Sequence, residues 1–282
     1  MSLNSSNSGP VSVAGPSAES TPSDSPGSPA PLKTPENPKQ PKVSFWKSTG
    51  LSASLIGWTF FGFMLAQLII FAVVSGVQAA GVDLGAFNTI ILNTVTSVVI
   101  YTIALTIIIG LPWLILRQKT TLTDLGLHRL PHWKDFLWLI AGFVAYLVLT
   151  TAITLISRSL FPGADYEQAQ DTGFSGLTSQ FELILTFVVL VVIAPVAEEV
   201  MFRGYLFGKL KKHAKVWVSI VLSSLLFAVV HFQFNVGLDT FALAVVLSLL
   251  RVATGSIWSS IMLHMAKNGL AFYFLFVSGL FF

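Results

Sequence analysis

The sequence predicts an all-α, polytopic transmembrane helix bundle of about seven spans, with eight as the upper count, behind a disordered N-terminal tail. Three observations predict it. Of 282 residues, 54% are hydrophobic and only 10% are charged, against about a quarter charged in an ordinary water-soluble domain. No charged residue occurs between Lys47 and Asp83, between Asp83 and Arg117, or between Asp135 and Arg158, and a spanning helix needs about 20 mainly apolar residues. Inside lipid the backbone must satisfy its own hydrogen bonds. Unbroken apolar runs of this length suit helices, whereas barrel strands alternate over about 10 residues.

Residues 1–44 hold nine of the thirteen prolines among many Ser, Gly and Asn. Such a segment has too little apolar surface to offset the entropy of ordering, so a disordered tail is expected there, a linker being a simpler reading than a Pro-rich docking segment. No apolar core of signal-peptide length occurs in it, and the first helix is expected to act as its own insertion signal. Residues 45–282 form the membrane domain. Its spans are placed at about 52–78, 87–116, 136–160, 182–208, 214–234, 239–254 and 256–280. Only Thr254, Gly255 and Ser256 separate the last two, which leaves a broken or re-entrant helix open there.

Lysine and arginine set the orientation. Lys42 and Lys47 precede the first span, Arg117, Lys119, Arg129 and Lys134 lie between the second and third, and Lys209, Lys211, Lys212 and Lys215 follow the fourth. The alternate connections carry Asp83, then Asp165, Glu167 and Asp171, then Asp239. Positive-inside logic puts the tail in the cytoplasm. The stretch Thr121 to Trp133 mixes apolar, basic and aromatic residues and is expected to lie along the inner surface. His128, His132 and His213 read as surface residues, Trp46, Trp133 and Trp138 as interfacial aromatics, and Arg251 as a snorkelling anchor. The net charge of +3 is accounted for by these helix-end residues, so nucleic acid is not indicated. The absence of cysteine excludes disulfides and thiolate metal sites.

Ionisable groups inside spans cost several kcal/mol and are functional candidates by default. The fourth span carries Glu198, Glu199 and Arg203. Glu199 and Arg203 are four apart with the acid first, the favourable order for a helical ion pair, while Glu198 points about 100 degrees away. The pair either fixes helix contacts or orients neighbouring groups. Pro195 removes a backbone hydrogen bond just before the acids and is expected to kink the helix. The fifth span places Phe227 one turn before His231. In the last, His264 and Asn268 share a face. At about 1.5 Å per residue from the cytoplasmic ends, Glu198 lies roughly 15 Å deep, His264 roughly 12 Å, Asn268 roughly 18 Å and His231 roughly 25 Å. One cavity can hold all four.

The E-E-x-x-x-R of Glu198, Glu199 and Arg203, the F-x-x-x-H of Phe227 and His231, and the H-x-x-x-N of His264 and Asn268 resemble, in order, the three motifs of the CPBP family, which includes type II CAAX prenyl endopeptidases and bacterial relatives. The resemblance covers about residues 180–270, with the catalytic helices there. It implies intramembrane hydrolysis of a peptide bond, with Glu198 as general base for water, assisted by His231, and with His264 and Asn268 stabilising the oxyanion. A peptide or membrane-protein substrate, prenylated in some relatives, follows from the same resemblance. Lys267, beside Asn268, stands outside the family pattern and can snorkel or pair with an acid.

The family is often termed a metalloprotease family, and one glutamate with two histidines can also be read as a zinc triad. Spacing alone leaves zinc open. A neutral amide at Asn268 is a poor zinc ligand and a good oxyanion donor, so no metal and no cofactor are expected. No H-E-x-x-H is present, which argues against a site-2 type zinc protease. The G-F-S-G of Gly173 to Gly176 resembles a rhomboid serine motif but is expected to be a loop. A secondary transporter or proton-coupled channel would also need buried charge. Yet the polar set has no counterpart in the first three spans, where Gln67 and Asn93 are the most polar mid-span groups. A catalytically idle scaffold or immunity member of the family is the third reading, against which the complete residue set argues.

Overall fold

A computed structural model describes residues 9, 11, 12, 45–168, 170 and 172–278. The expected disordered tail and Asp171 therefore lie outside the described residues, apart from those three tail positions. The segment from Val43 onward is one compact unit. Every regular element among the described residues is helical. Among the described residues six helices are long and apolar enough to cross a membrane, and a seventh, Val216–Val229, is apolar but shorter. The protein is a multi-pass integral membrane protein.

In chain order, α1 is Phe45–Ala79, and α2 (Thr89–Leu105) runs through a wide π turn, Thr106–Gly110, into α3 (Leu111–Leu116). After the short α4 (Leu122–Leu125) comes α5 (Trp133–Leu160). The fourth span strings together α6 (Gln180–Phe187), a π turn Val188–Ile193, α7 (Ala194–Glu199), a second π turn Val200–Leu206 and α8 (Phe207–Leu210). Then follow α9 (Val216–Val229), α10 (Phe234–Thr254) and α11 (Trp258–Phe272). Gly255, in the left-handed region at φ 68°, separates α10 from α11 as two full helices.

The fourth span and α10 lie in the middle of the bundle. Phe202, Leu206, Leu243 and Leu247 are buried there, while α1 and α5 present Phe61, Phe71, Val144, Val148 and Leu155 outward. In a bilayer that outer surface faces acyl chains.

The kink expected at Pro195 takes a specific form. Ala194 donates to the carbonyl of Val189, five residues back. In that pattern the next donor belongs to position 195 and would meet Leu190, but proline has no N–H. The wide turn makes room for the ring and leaves the Leu190 carbonyl without a helix donor. Pro112 follows the π turn of the second span in the same way, with Leu111 donating to Thr106.

Two expectations about charged residues are corrected. Arg251 is not a snorkelling anchor: it is 3% exposed and donates to the carbonyls of Gly255 and Asp124. A Cβ at Gly126 would stand 2.5 Å from its guanidinium carbon, and Gly126 has φ 79°, so only glycine fits beside this arginine. Asp239 is not a loop acid: it lies within α10 and pairs with Lys267 at 3.1 Å, accepting also from Tyr146 and Thr150. This is the acid partner left open for Lys267.

The segment expected along the inner surface is fastened to the bundle. Ser256 donates to the Gly126 carbonyl, Trp258 Nε1 to the Arg129 carbonyl, and Ser259 to Asp135. Asp124 pairs with Lys212 at 2.7 Å, and that ammonium, with the Thr121 backbone and hydroxyl, holds its carboxyl well below the usual carboxylate range. Asp124 also closes a capping box with Thr121. A Cβ at Gly208 would lie 3.0 Å from the Asp124 carbonyl, so α4 rests directly on the end of the fourth span. His128, His132, Trp133 and Trp138 are exposed, and His213 is half-buried. Gly173 to Gly176 is a loop, with both glycines at positive φ.

Candidate active site

The fourth span presents Glu198 and Glu199 between its two π turns. Glu199 is fully buried, and Arg203, 1% exposed, donates to its Oε1 at 2.8 Å. This is the ion pair expected from the spacing. The same oxygen receives the Nδ1 of His264 at 3.0 Å. A carboxylate accepts, so Nδ1 carries the hydrogen and Nε2 faces the other way. There it meets Glu198 Oε2 at 3.7 Å, beyond direct hydrogen-bond distance. His264 thus stands between two carboxylates, bonded to one and facing the other.

Glu198 was expected to stand outside the Glu199–Arg203 pair, and it finds its partner on another helix. Tyr101, on α2, donates its hydroxyl to Glu198 Oε1 at 2.6 Å.

His231 lies just past the end of α9, in a tightened turn where its N–H reaches the Ala228 carbonyl and Phe232 adopts φ 52°. The expected span to residue 234 therefore stops short at Val229. Its Nδ1 contacts the Phe227 carbonyl at 2.7 Å. A carbonyl accepts, which puts the hydrogen on Nδ1, and in the neutral ring Nε2 then carries the lone pair. Phe227 is the hub of the motif residues: its ring meets His231 edge-on at 5.0 Å and His264 at 5.8 Å, and Arg203 lies 4.3 Å over its face. A desolvated guanidinium gains from such a contact.

Asn268 does two things at once. Its Nδ2 donates to the Leu190 carbonyl at 2.9 Å, the group that Pro195 leaves without a helix donor. One amide hydrogen remains beside a cavity of about 270 Å³ whose lining includes Glu198, His231, His264, Asn268, Tyr101 and Lys267. The remaining wall is mainly apolar, with Phe227, Leu190 and Phe272 among its side chains.

All seven motif residues are therefore brought together. Glu198, His231, His264 and Asn268 line the cavity, while Glu199 and Arg203 hold His264 from behind. Two participants carried little sequence signal. Tyr101 sits in an apolar run as one aromatic among many. The Asp239 partner of Lys267 is 28 positions away on another helix.

This fold and this cavity define a class: a multi-pass membrane protein with acid, imidazole and amide groups converging inside its bundle. Within that class, residues 180–270 match the sequence model of the family described as type II CAAX prenyl endopeptidase Rce1-like, a protease family. The family suspected from the three motifs is thus the one matched over the segment that carries them. The chain is also 28% identical over 134 residues to the UPF0177 protein YxdF of Lactococcus lactis, covering 48% of this chain and 70% of that protein. It is 28% identical over 98 residues to an uncharacterized 24.3 kDa protein of Escherichia coli, covering 33% of this chain and 45% of that one. No solved structure matches.

Proposed function

We propose that the protein is an intramembrane endopeptidase in which Glu198 activates water for attack on a peptide bond. The observation that carries this is the facing of Glu198 Oε2 and His264 Nε2 across 3.7 Å at the wall of a cavity inside the bundle. Glu198 takes a proton from the attacking water and returns it to the leaving amine. His231, with its Nε2 lone pair, assists as a second acceptor. His264 and Asn268 supply donors to the tetrahedral oxyanion. A donor role at His264 Nε2 requires the doubly protonated ring, and the Glu199 carboxylate on Nδ1 is the partner that this form needs. The substrate is a peptide or membrane-protein segment, prenylated substrates being the class the family match suggests. A comparison of protein termini in cells carrying wild type or Glu198→Ala tests the proposal. Termini that vanish with the glutamate identify the substrate, and identical sets overturn the reading.

Among the described residues, no three His, Cys, Asp or Glu groups converge as ligands for a metal ion. A His264 ring with Nδ1 on the Glu199 carboxylate and Nε2 facing Glu198 is also how a metal-bound histidine is held, so the metal-independent reading rests on Asn268, a poor metal ligand and a good oxyanion donor. Asn268→Ala is expected to lower turnover about a hundredfold with no change in metal content. Purified protein is expected to contain no stoichiometric zinc and to stay active after prolonged chelation. Zinc lost together with activity in His264→Ala would reverse these roles.

We further propose that the Lys209 to Lys215 end faces the cytoplasm, in line with the positive-inside rule. The chain has no native cysteine, so a single cysteine introduced at position 212 reports the side directly. Labelling from the outer face alone would invert the topology.

A further inference from the structure

We infer that Tyr101 is a positioning residue for the general base, holding Glu198 Oε1 so that Oε2 alone is presented to water. This rests on the peptidase reading and extends its site to the second span, outside the matched segment 180–270. A carboxylate taken from water into an apolar bundle keeps its lone pairs costly unless donors meet them. Among the described residues, the Tyr101 hydroxyl is the donor within hydrogen-bond distance of Glu198, at 2.6 Å. A phenol in an apolar helix has the complementary need for an acceptor.

The contact fixes more than solvation. Glu198 lies between two π turns of the fourth span, and its side chain has three rotatable bonds. With Oε1 held by α2, the carboxylate plane is set, and Oε2 points at His264 Nε2 across the 3.7 Å gap. Glu199 and Arg203 hold His264 from the other side. The base and the imidazole are thus each fixed by a partner on another helix. Without the hydroxyl, Glu198 is free to swing and to expose either oxygen.

The test compares wild type, Tyr101→Phe and Glu198→Gln at equal protein levels with two readouts. The first is the rate at which Glu198-dependent termini appear. The second, on purified protein, is mass-spectrometric labelling of carboxyl groups by dicyclohexylcarbodiimide, with Glu182 as internal reference. Glu182 is 6% exposed and held by Asn88 and Thr178, remote from Tyr101 in those bonds. Phenylalanine keeps the ring and removes only the hydroxyl. Cleavage is expected to fall about tenfold, the loss of one hydrogen bond to a charged group. Labelling of Glu198 should rise several-fold, with Glu182 unchanged.

Wild-type cleavage or unchanged Glu198 labelling in Tyr101→Phe, with Glu198→Gln inactive, overturns the role of Tyr101 and leaves the peptidase reading standing. Labelling that rises at Glu182 as well marks general loosening and also overturns it. Cleavage that survives in Glu198→Gln overturns the peptidase reading, and the role of Tyr101 with it.

Discussion

Glu198→Gln is expected to abolish cleavage while leaving the folded protein intact. The amide keeps the shape of the side chain, and its oxygen can still accept from Tyr101 at the position of Oε1. The contact at Oε2 is 3.7 Å from His264, too long to be a bond whose loss unfolds the bundle. What disappears is the acceptor that takes a proton from water, and an amide has no comparable basicity. General base catalysis is typically worth about 10²- to 10⁴-fold, and with a single activated water no other group supplies the nucleophile. The measurement is cleavage of the Glu198-dependent substrate beside the yield and thermal unfolding of detergent-purified protein. Full activity with normal folding would remove Glu198 from the chemistry.

Glu199→Ala should fail differently, through loss of folded protein. One oxygen of Glu199 serves both Arg203 and His264, and Arg203 is 1% exposed with its Nη2 already lacking a hydrogen-bond partner in the described structure. Removing the carboxylate strands a guanidinium in the bundle, and breaking a buried pair from one side costs about 3–5 kcal/mol. That is a large part of the total of about 5–15 kcal/mol that holds a typical domain folded. The double variant Glu199→Ala with Arg203→Met removes both charges and should recover much of the yield. It should stay nearly inactive, because His264 Nδ1 then has no anchor. Normal yield in the single variant, or full activity in the double, would show that the pair neither holds the fold nor orients the histidine.

The contrast between these adjacent acids was legible in the sequence because helical spacing fixes which residues share a face. Glu199 and Arg203 follow from i,i+4 geometry, and the apolar runs gave the helices because lipid permits little else. Contacts between helices were not legible. The Tyr101 bond joins positions 97 apart, and nothing local marks one tyrosine in an apolar span as different from another. Arg251 was misjudged for a related reason. A charge near a helix end usually reaches for water, and only the tertiary placement of Gly126 gives this one a buried set of carbonyls. Pro195 marked the kink, but the width of the turn, and the amide that satisfies the carbonyl it frees, depend on α11 standing alongside.

The fastening of the segment around α4 bears on how the chain comes together during synthesis. Its partners lie far downstream: Asp124 with Arg251 is a separation of 127 residues, Gly126 with Ser256 one of 130, and Arg129 with Trp258 one of 129. At translation rates of about 5–20 residues per second, roughly ten seconds pass between the making of one side of each contact and the other. Through that interval the segment cannot adopt its final bonds, whatever the first three spans have done. His264 and Asn268 emerge a few residues after Trp258, so the same last helix that locks this segment also completes the cavity. The nascent protein therefore gains the last bonds of its clasp, from Trp258 and Ser259, together with its oxyanion donors, and a chain that stalls before α11 has Glu198 but neither those bonds nor those donors.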